Sequence, residues 1–171
     1  MNLERVKTLT DIATAWLGVI ALISGGLFAI YQYLQTEKAS KVKETLSFLK
    51  QFNEAPIFDA RKNISMARER NDELLEAALN KKPFNEQDYD NVILNYEKRE
   101  GLLKDIYIIF DFFDMLQVCA DKKICDVETT ELFFKEESCA LFHQHHARVM
   151  LERKKRNDEF AKGVMVLCKQ P

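Results

Sequence analysis

The sequence predicts an all-α protein in which one N-terminal transmembrane helix precedes a cytoplasmic helical bundle of about four helices. Three observations lead to this fold class. Proline and glycine, which interrupt helices, number only three and five in 171 residues. Apolar residues recur at helical spacing along most of the chain. Near the N-terminus, residues 12–34 form a run of 23 residues without Asp, Glu, Lys or Arg.

The uncharged run is long enough to cross a membrane. As a helix it would reach about 35 Å, whereas the hydrocarbon core of a bilayer is about 30 Å thick. A signal peptide has a shorter apolar region followed by a small-x-small cleavage site, and this run has neither property. Trp16 at one end and Tyr31 and Tyr33 at the other suit the two headgroup zones. We therefore predict a tail and transmembrane helix over residues 1–36.

Basic residues near the run predict its orientation. Arg5 and Lys7 precede it, and four lysines follow it: Lys38, Lys41, Lys43 and Lys50. This excess places the N-terminus outside a bacterial inner membrane and the C-terminal domain in the cytoplasm. In a reducing cytoplasm the four cysteines, Cys119, Cys125, Cys139 and Cys168, are expected to be thiols.

The membrane helix is predicted to continue beyond the bilayer. Neither Gly nor Pro occurs between Gly26 and Pro56, and Pro56 disfavours helix at the residue before it. Residues 37–56 are thus predicted to form a helical stalk, and residues 57–171 a sensor or interaction domain. A continuous helix would transmit movement of that domain to the membrane, and a passive stalk is the alternative.

Three long helices and a short tail are expected in the C-terminal domain. They cover residues 57–79, 86–120 and 127–157, with Asn85 and Asp126 as N-caps of the second and third. The segment "IYIIFDFFDML" is apolar nearly all round, which is typical of a buried core helix. Arg99 lies on the apolar stripe of the same helix, so it needs a carboxylate partner or a bound anion.

No catalytic motif is found, and no enzyme activity, cofactor or metal is expected. The run "CALFHQHHARVM" places Cys139, His143 and His146 on one helix face. Such histidines can bind phosphate, stack on a base or simply be solvated, and one helix seldom supplies three zinc ligands. The net charge of −2 gives no reason to expect DNA as a partner.

Small residues in the membrane run predict self-association. Ala21, Gly25 and Ala29 recur every four residues, a spacing that lets two membrane helices approach closely. We expect a homo-oligomer in the lipid bilayer, either a dimer or a tetramer.

The segment "YIIFDFFDMLQVCADKKICDVETTELFF" consists of an aromatic-acidic helix, a short basic turn and a helix that opens on an acidic-aromatic stretch. Together with the N-terminal membrane run, this segment gives an order of elements that resembles small single-pass bacterial membrane proteins with an all-helical cytoplasmic domain. It also resembles the CRISPR-associated membrane effectors gated by cyclic oligoadenylate. This resemblance implies an antiviral-defence effector in which a cyclic nucleotide binds the cytoplasmic oligomer and rearranges the membrane helices. The alternatives are an anchored protein-interaction module and an anchored enzyme, and the missing catalytic motifs count against the enzyme.

An anionic ligand requires fixed cations, and arginine provides a planar fork that matches phosphate. We expect a cyclic oligonucleotide to bind at a subunit interface. The candidate ligand-binding residues are Arg61, Arg68, Arg99, His143, His146 and Arg148.

Overall fold

The computed structural model describes residues 3–155 and 158–169, with side chains from residue 16 onward. Within these ranges the chain forms helices and no strand, which confirms the all-α class. The helices are α1 Leu3–Phe52, α2 Ile57–Arg70, α3 Asp72–Leu79, α4 Glu86–Arg99, α5 Leu103–Asp121, α6 Val127–Gln144, α7 His146–Lys155 and α8 Lys162–Lys169. The chain divides into two compact units, residues 1–40 and 41–171.

The first unit is the N-terminal part of α1. It lies within the one helix, among the described residues, that is long and apolar enough to cross a membrane. Every side chain from Trp16 to Ser40 is exposed, including Leu22 at 78%. Apolar side chains in such a run stay in contact with water unless lipid or another helix covers them.

The end of α1 belongs to the core of the second unit. Thr45 and Phe52 are buried, and Phe48 and Leu49 pack against the same core. The ring of Phe52 lies 5.2 Å from that of Phe112 and 5.6 Å from that of Phe134. Half of the predicted stalk is therefore a core element. The predicted core helix is confirmed, because α5 buries eight residues, including Phe110, Phe112 and Phe113.

Each of the three long helices predicted after α1 is interrupted once, so seven described helices follow α1 instead of about four. The first break is at Asn71, whose buried amide donates to the Ala67 carbonyl and to Glu100. The second is at Gly101, which has a φ of 71° that favours glycine. The third is at His145, where the backbone leaves the helix and the ring is buried.

The predicted caps and the docked tail are present. Asn85 Oδ1 accepts from the N–H of Gln87 at 2.9 Å, and Asp126 Oδ1 accepts from the N–H of Thr129 at 2.9 Å. In the tail, α8 buries Val164 and Leu167 in the main core.

The cysteines differ from the expectation of four thiols. Cys119 is bonded to Cys125 and Cys139 to Cys168, and no free cysteine remains. The first bond closes the turn between α5 and α6, and the second joins α6 to α8. Sequence spacing could not reveal the second pair, because its members lie 29 residues apart and meet only when α8 packs on α6.

Candidate functional site

The break at His145 is held by buried charges. His145 Nδ1 lies 2.8 Å from Glu97 Oε1, and Arg148 Nε donates to Glu97 Oε2 at 2.8 Å. Arg148 Nη1 also donates to Glu152 Oε1 at 3.3 Å. Glu97 is completely buried, so its charge depends on these partners from α7 and from the turn before it. The network fixes the position at which α6 ends, and hence the position of Gln144.

Gln144 lines three cavities of the second unit. One of about 210 Å³, the arginine cavity, lies between Arg61, Arg68 and Glu137. A second of about 210 Å³, the tyrosine cavity, is lined by Arg68 and Tyr96 and also by the carboxylates of Asp72 and Glu76. The third, of about 410 Å³, is called the aromatic cavity, and its volume is typical of small-molecule sites. Its walls include Phe84, Glu86, Tyr89, Asp90, Phe142, His143 and His146.

The arginine cavity connects three helices. Arg61 Nε donates to Glu137 Oε1 of α6 at 3.2 Å, and the Arg61 guanidinium lies 4.0 Å from the centre of the Phe52 ring. Arg68, two turns further along α2, donates from Nη1 to Gln144 Oε1 at 3.2 Å. The two guanidinium groups thus lie on one face of α2, and Arg68 bonds to a neutral partner.

The tyrosine cavity contains a buried hydroxyl group. Tyr96 is 2% exposed, and its hydroxyl has no hydrogen-bond partner among the described residues. Burial, followed by the charges of Glu100 and Glu97, raises the pKa of Tyr96 to about 12. The hydroxyl group therefore keeps its proton at neutral pH, and its oxygen is not exposed to solvent.

The aromatic cavity is lined by rings from two sides. The Phe84 and Tyr89 rings lie 6.1 Å apart, and Phe142 meets His146 edge-on at 5.4 Å. Two carboxylates, those of Glu86 and Asp90, also line it. Cys139 does not line this cavity with the two histidines, because it lies against Cys168 of α8. The described part of the chain holds no group of three residues suited to a metal ion.

The structure brings four of the six predicted ligand-binding residues to these cavities. Arg61 and Arg68 line the arginine cavity, whereas His143 and His146 line the aromatic cavity. Arg148 belongs instead to the buried network around Glu97.

The structure gives Arg99 a carboxylate partner, as predicted, but not the predicted position on an apolar stripe. Its side chain is 59% exposed at the end of α4, where it donates to Asn71 and lies 3.8 Å from Glu100. The predicted apolar stripe assumed one helix through residue 99, but the break after Arg99 separates α4 from α5.

Sequence reasoning missed Glu97, Gln144 and His145. One signal was available for Glu97, because it follows the apolar Ile93 by four residues and so shares its helix face. Nothing in the run "HQHH" distinguishes the histidine that is buried from the two that line a cavity.

Protein-family models, curated proteins and solved structures yield no match to this chain. Two features of these cavities indicate what the protein can bind: two arginines on one face of α2, and a cavity of rings and carboxylates.

Proposed function

We propose that this protein is a single-pass membrane effector gated by an anionic ligand that binds in the arginine cavity. The observation that carries the proposal is the position of Arg61. It bonds to Glu137 in the cavity and contacts Phe52, the last residue of the helix that contains the candidate membrane span. A group that changes the partners of Arg61 acts directly on the end of α1.

The coupling follows from competition for Arg61. A phosphate that draws Arg61 away from Glu137 also moves the guanidinium relative to the Phe52 ring. A ligand shifts a conformational equilibrium only by its difference in affinity for the two states. Arg61 supplies such a difference, since it can bond either to Glu137 or to the ligand.

The donors of the arginine cavity suit a phosphodiester. Arg61 and Arg68 offer planar forks, and the Gln144 amide can add neutral hydrogen bonds. A cyclic oligonucleotide such as cyclic oligoadenylate presents several phosphates to symmetry-related copies of one site. Association through Ala21, Gly25 and Ala29 would form that oligomer in the lipid bilayer. Rearranged membrane helices would then disturb the bacterial inner membrane as an antiviral defence.

Replacing Arg61 with glutamine is expected to weaken binding of cyclic oligoadenylate at least about tenfold, because a charge-assisted hydrogen bond is lost. Isothermal calorimetry on the full-length protein in detergent at low salt measures this change. Lys62→Gln is the matched control, because Lys62 is the exposed neighbour of Arg61 and lines none of the three cavities. Equal weakening by both substitutions, or no binding to the unmodified protein, would contradict the proposal.

An anchored interaction module is the second candidate function. Large apolar side chains are exposed on α5 and α6 of the second unit, with Met115 at 54%, Val118 at 56% and Leu132 at 78%. Exposed apolar side chains of this kind are typical of protein-binding surfaces. This second function would be supported if the protein binds no anion, and if substitution of Val118 or Leu132 abolishes its binding to a partner protein.

Two observations disagree about the side of the membrane on which the C-terminal domain lies. The lysines after the run favour a cytoplasmic C-terminal domain, whereas the two disulfides favour an oxidising compartment. We propose the cytoplasmic orientation, since a nucleotide second messenger is a cytoplasmic ligand. The pairs would then be dithiols in the growing cell.

With this orientation, a C-terminal alkaline phosphatase fusion should be inactive. All four cysteines should react with a maleimide reagent added at lysis under denaturing conditions without reductant. A C-terminal fluorescent reporter that folds only in the cytoplasm is the matched control. An active phosphatase fusion together with unlabelled cysteines would place the domain on the other side of the membrane.

A further inference from the structure

The aromatic cavity differs in charge from the arginine cavity. Glu86 and Asp90 line it, and no Lys or Arg does. Asp88, on the same helix, is paired with Lys81 at 2.9 Å, but neither Glu86 nor Asp90 forms an ion pair within the described residues. Glu86 and Asp90 are four residues apart on α4, so their side chains lie about 5–6 Å apart at their Cβ atoms. The cavity therefore presents two adjacent carboxylates on one wall.

The rest of the wall is largely aromatic. Phe84 and Tyr89 form one ring pair, and Phe142 and His146 form another. The negative face of an aromatic ring attracts a cation that lies within about 6 Å of it, and quaternary ammonium groups are bound in this way. Rings and carboxylates thus favour the same kind of ligand, one with a positive charge and an apolar surface.

We propose that the aromatic cavity is a binding site for a small organic ammonium ion. Glu86 and Asp90 supply the opposing charge, and Phe84, Tyr89 and Phe142 cover the alkyl groups of the ligand. At about 410 Å³ the cavity has room for a small organic molecule. An inorganic cation fits less well, because the described residues form no cluster of three metal-binding side chains there. An anion would be repelled by both carboxylates.

This site is separate from the one proposed for the anionic ligand. Gln144 lines both, but no charged side chain is shared between the aromatic and arginine cavities. Loss of Arg61 should therefore leave ammonium binding unchanged, and loss of Asp90 should leave binding of cyclic oligoadenylate unchanged. Each proposal can fail while the other stands.

Choline and its neutral isostere 3,3-dimethylbutan-1-ol test the proposal, because they share shape and differ in charge. Calorimetry and ligand-observed NMR on the full-length protein in detergent should show choline binding at least about tenfold more tightly than the alcohol. Glu86→Gln and Asp90→Asn should each weaken choline binding severalfold, and Tyr89→Leu should do the same. Asp88→Asn is the matched control, since it also removes a carboxylate from the start of α4 but does not line the cavity.

Three results would overturn the proposal. Equal binding of choline and the alcohol would mean that the cavity is merely apolar. If Asp88→Asn weakens choline binding as much as Asp90→Asn does, the weakening reflects the net charge of the protein and not a contact in the cavity. If about 10 mM choline gives no detectable binding, the free energy of binding is weaker than about 3 kcal/mol in magnitude. The cavity then binds no such ion.

Discussion

Replacing Glu97 with alanine is expected to lower the free energy of unfolding by about 3–5 kcal/mol, as is typical when one partner of a buried ion pair is removed. Glu97 is 0% exposed and bonds to both His145 and Arg148. Without it, Arg148 keeps one carboxylate, that of Glu152 at 3.3 Å, and the His145 ring keeps no hydrogen-bond partner among the described residues. The junction of α6 and α7 should loosen, and with it the walls that Gln144 contributes to all three cavities.

Denaturant unfolding of the full-length protein in detergent, monitored by circular dichroism, measures the loss. Glu97→Gln should also be destabilising, because it retains the shape of the side chain but leaves the Arg148 charge without its principal partner. Lys98→Ala is the control on the same helix, because Lys98 is exposed and a surface substitution typically changes stability by less than about 0.5 kcal/mol. A Glu97→Ala protein as stable as Lys98→Ala would show that the network does not hold the junction.

Replacing Gly163 with alanine is expected to lower the free energy of unfolding by about 3 kcal/mol, the upper end of the usual cost of overpacking. A Cβ atom at this position would lie 2.0 Å from the carbonyl oxygen of Phe113 and 2.7 Å from the backbone nitrogen of Asp114. Backbone of a buried helix cannot move aside as a flexible side chain does, so α8 must shift.

The shift of α8 would also break a hydrogen bond. The Gly163 N–H donates to Asp114 Oδ1 at 2.6 Å. Burial raises the pKa of the Asp114 carboxyl, and this N–H opposes the rise by favouring the carboxylate. A displaced α8 would leave the carboxylate half-buried without that donor.

The direction of the Gly163→Ala effect separates packing from helix propensity. Alanine is favoured over glycine by about 1 kcal/mol inside a helix, so propensity alone would raise the melting temperature. The matched control is Lys162→Ala, which removes only a surface pair with Glu159 and should have little effect. A more stable Gly163→Ala protein would show that α8 is not packed against α5 as described.

Local features of the molecule could be predicted from the sequence. The apolar run, the caps at Asn85 and Asp126 and the core segment of α5 depend on residues within a few positions of one another. Periodicity and capping are therefore sufficient to recognise them. The same holds for Arg61 and Arg68, whose spacing of seven residues places both on one face of α2 whatever packs against it.

Contacts between distant residues decided the rest. His145 is drawn out of a predicted continuous helix by Glu97, which lies 48 positions earlier, and Asn71 is bonded to Glu100 across 29 positions. Cys139 and Cys168 meet only because α8 folds back on α6. The sequence by itself thus determined the helical class, the candidate span and the arginine face of α2. Only the tertiary structure separated Arg61 and Arg68 from His143 and His146 into cavities of different charge, because the walls of the two cavities come from five helices, α2, α4, α5, α6 and α7.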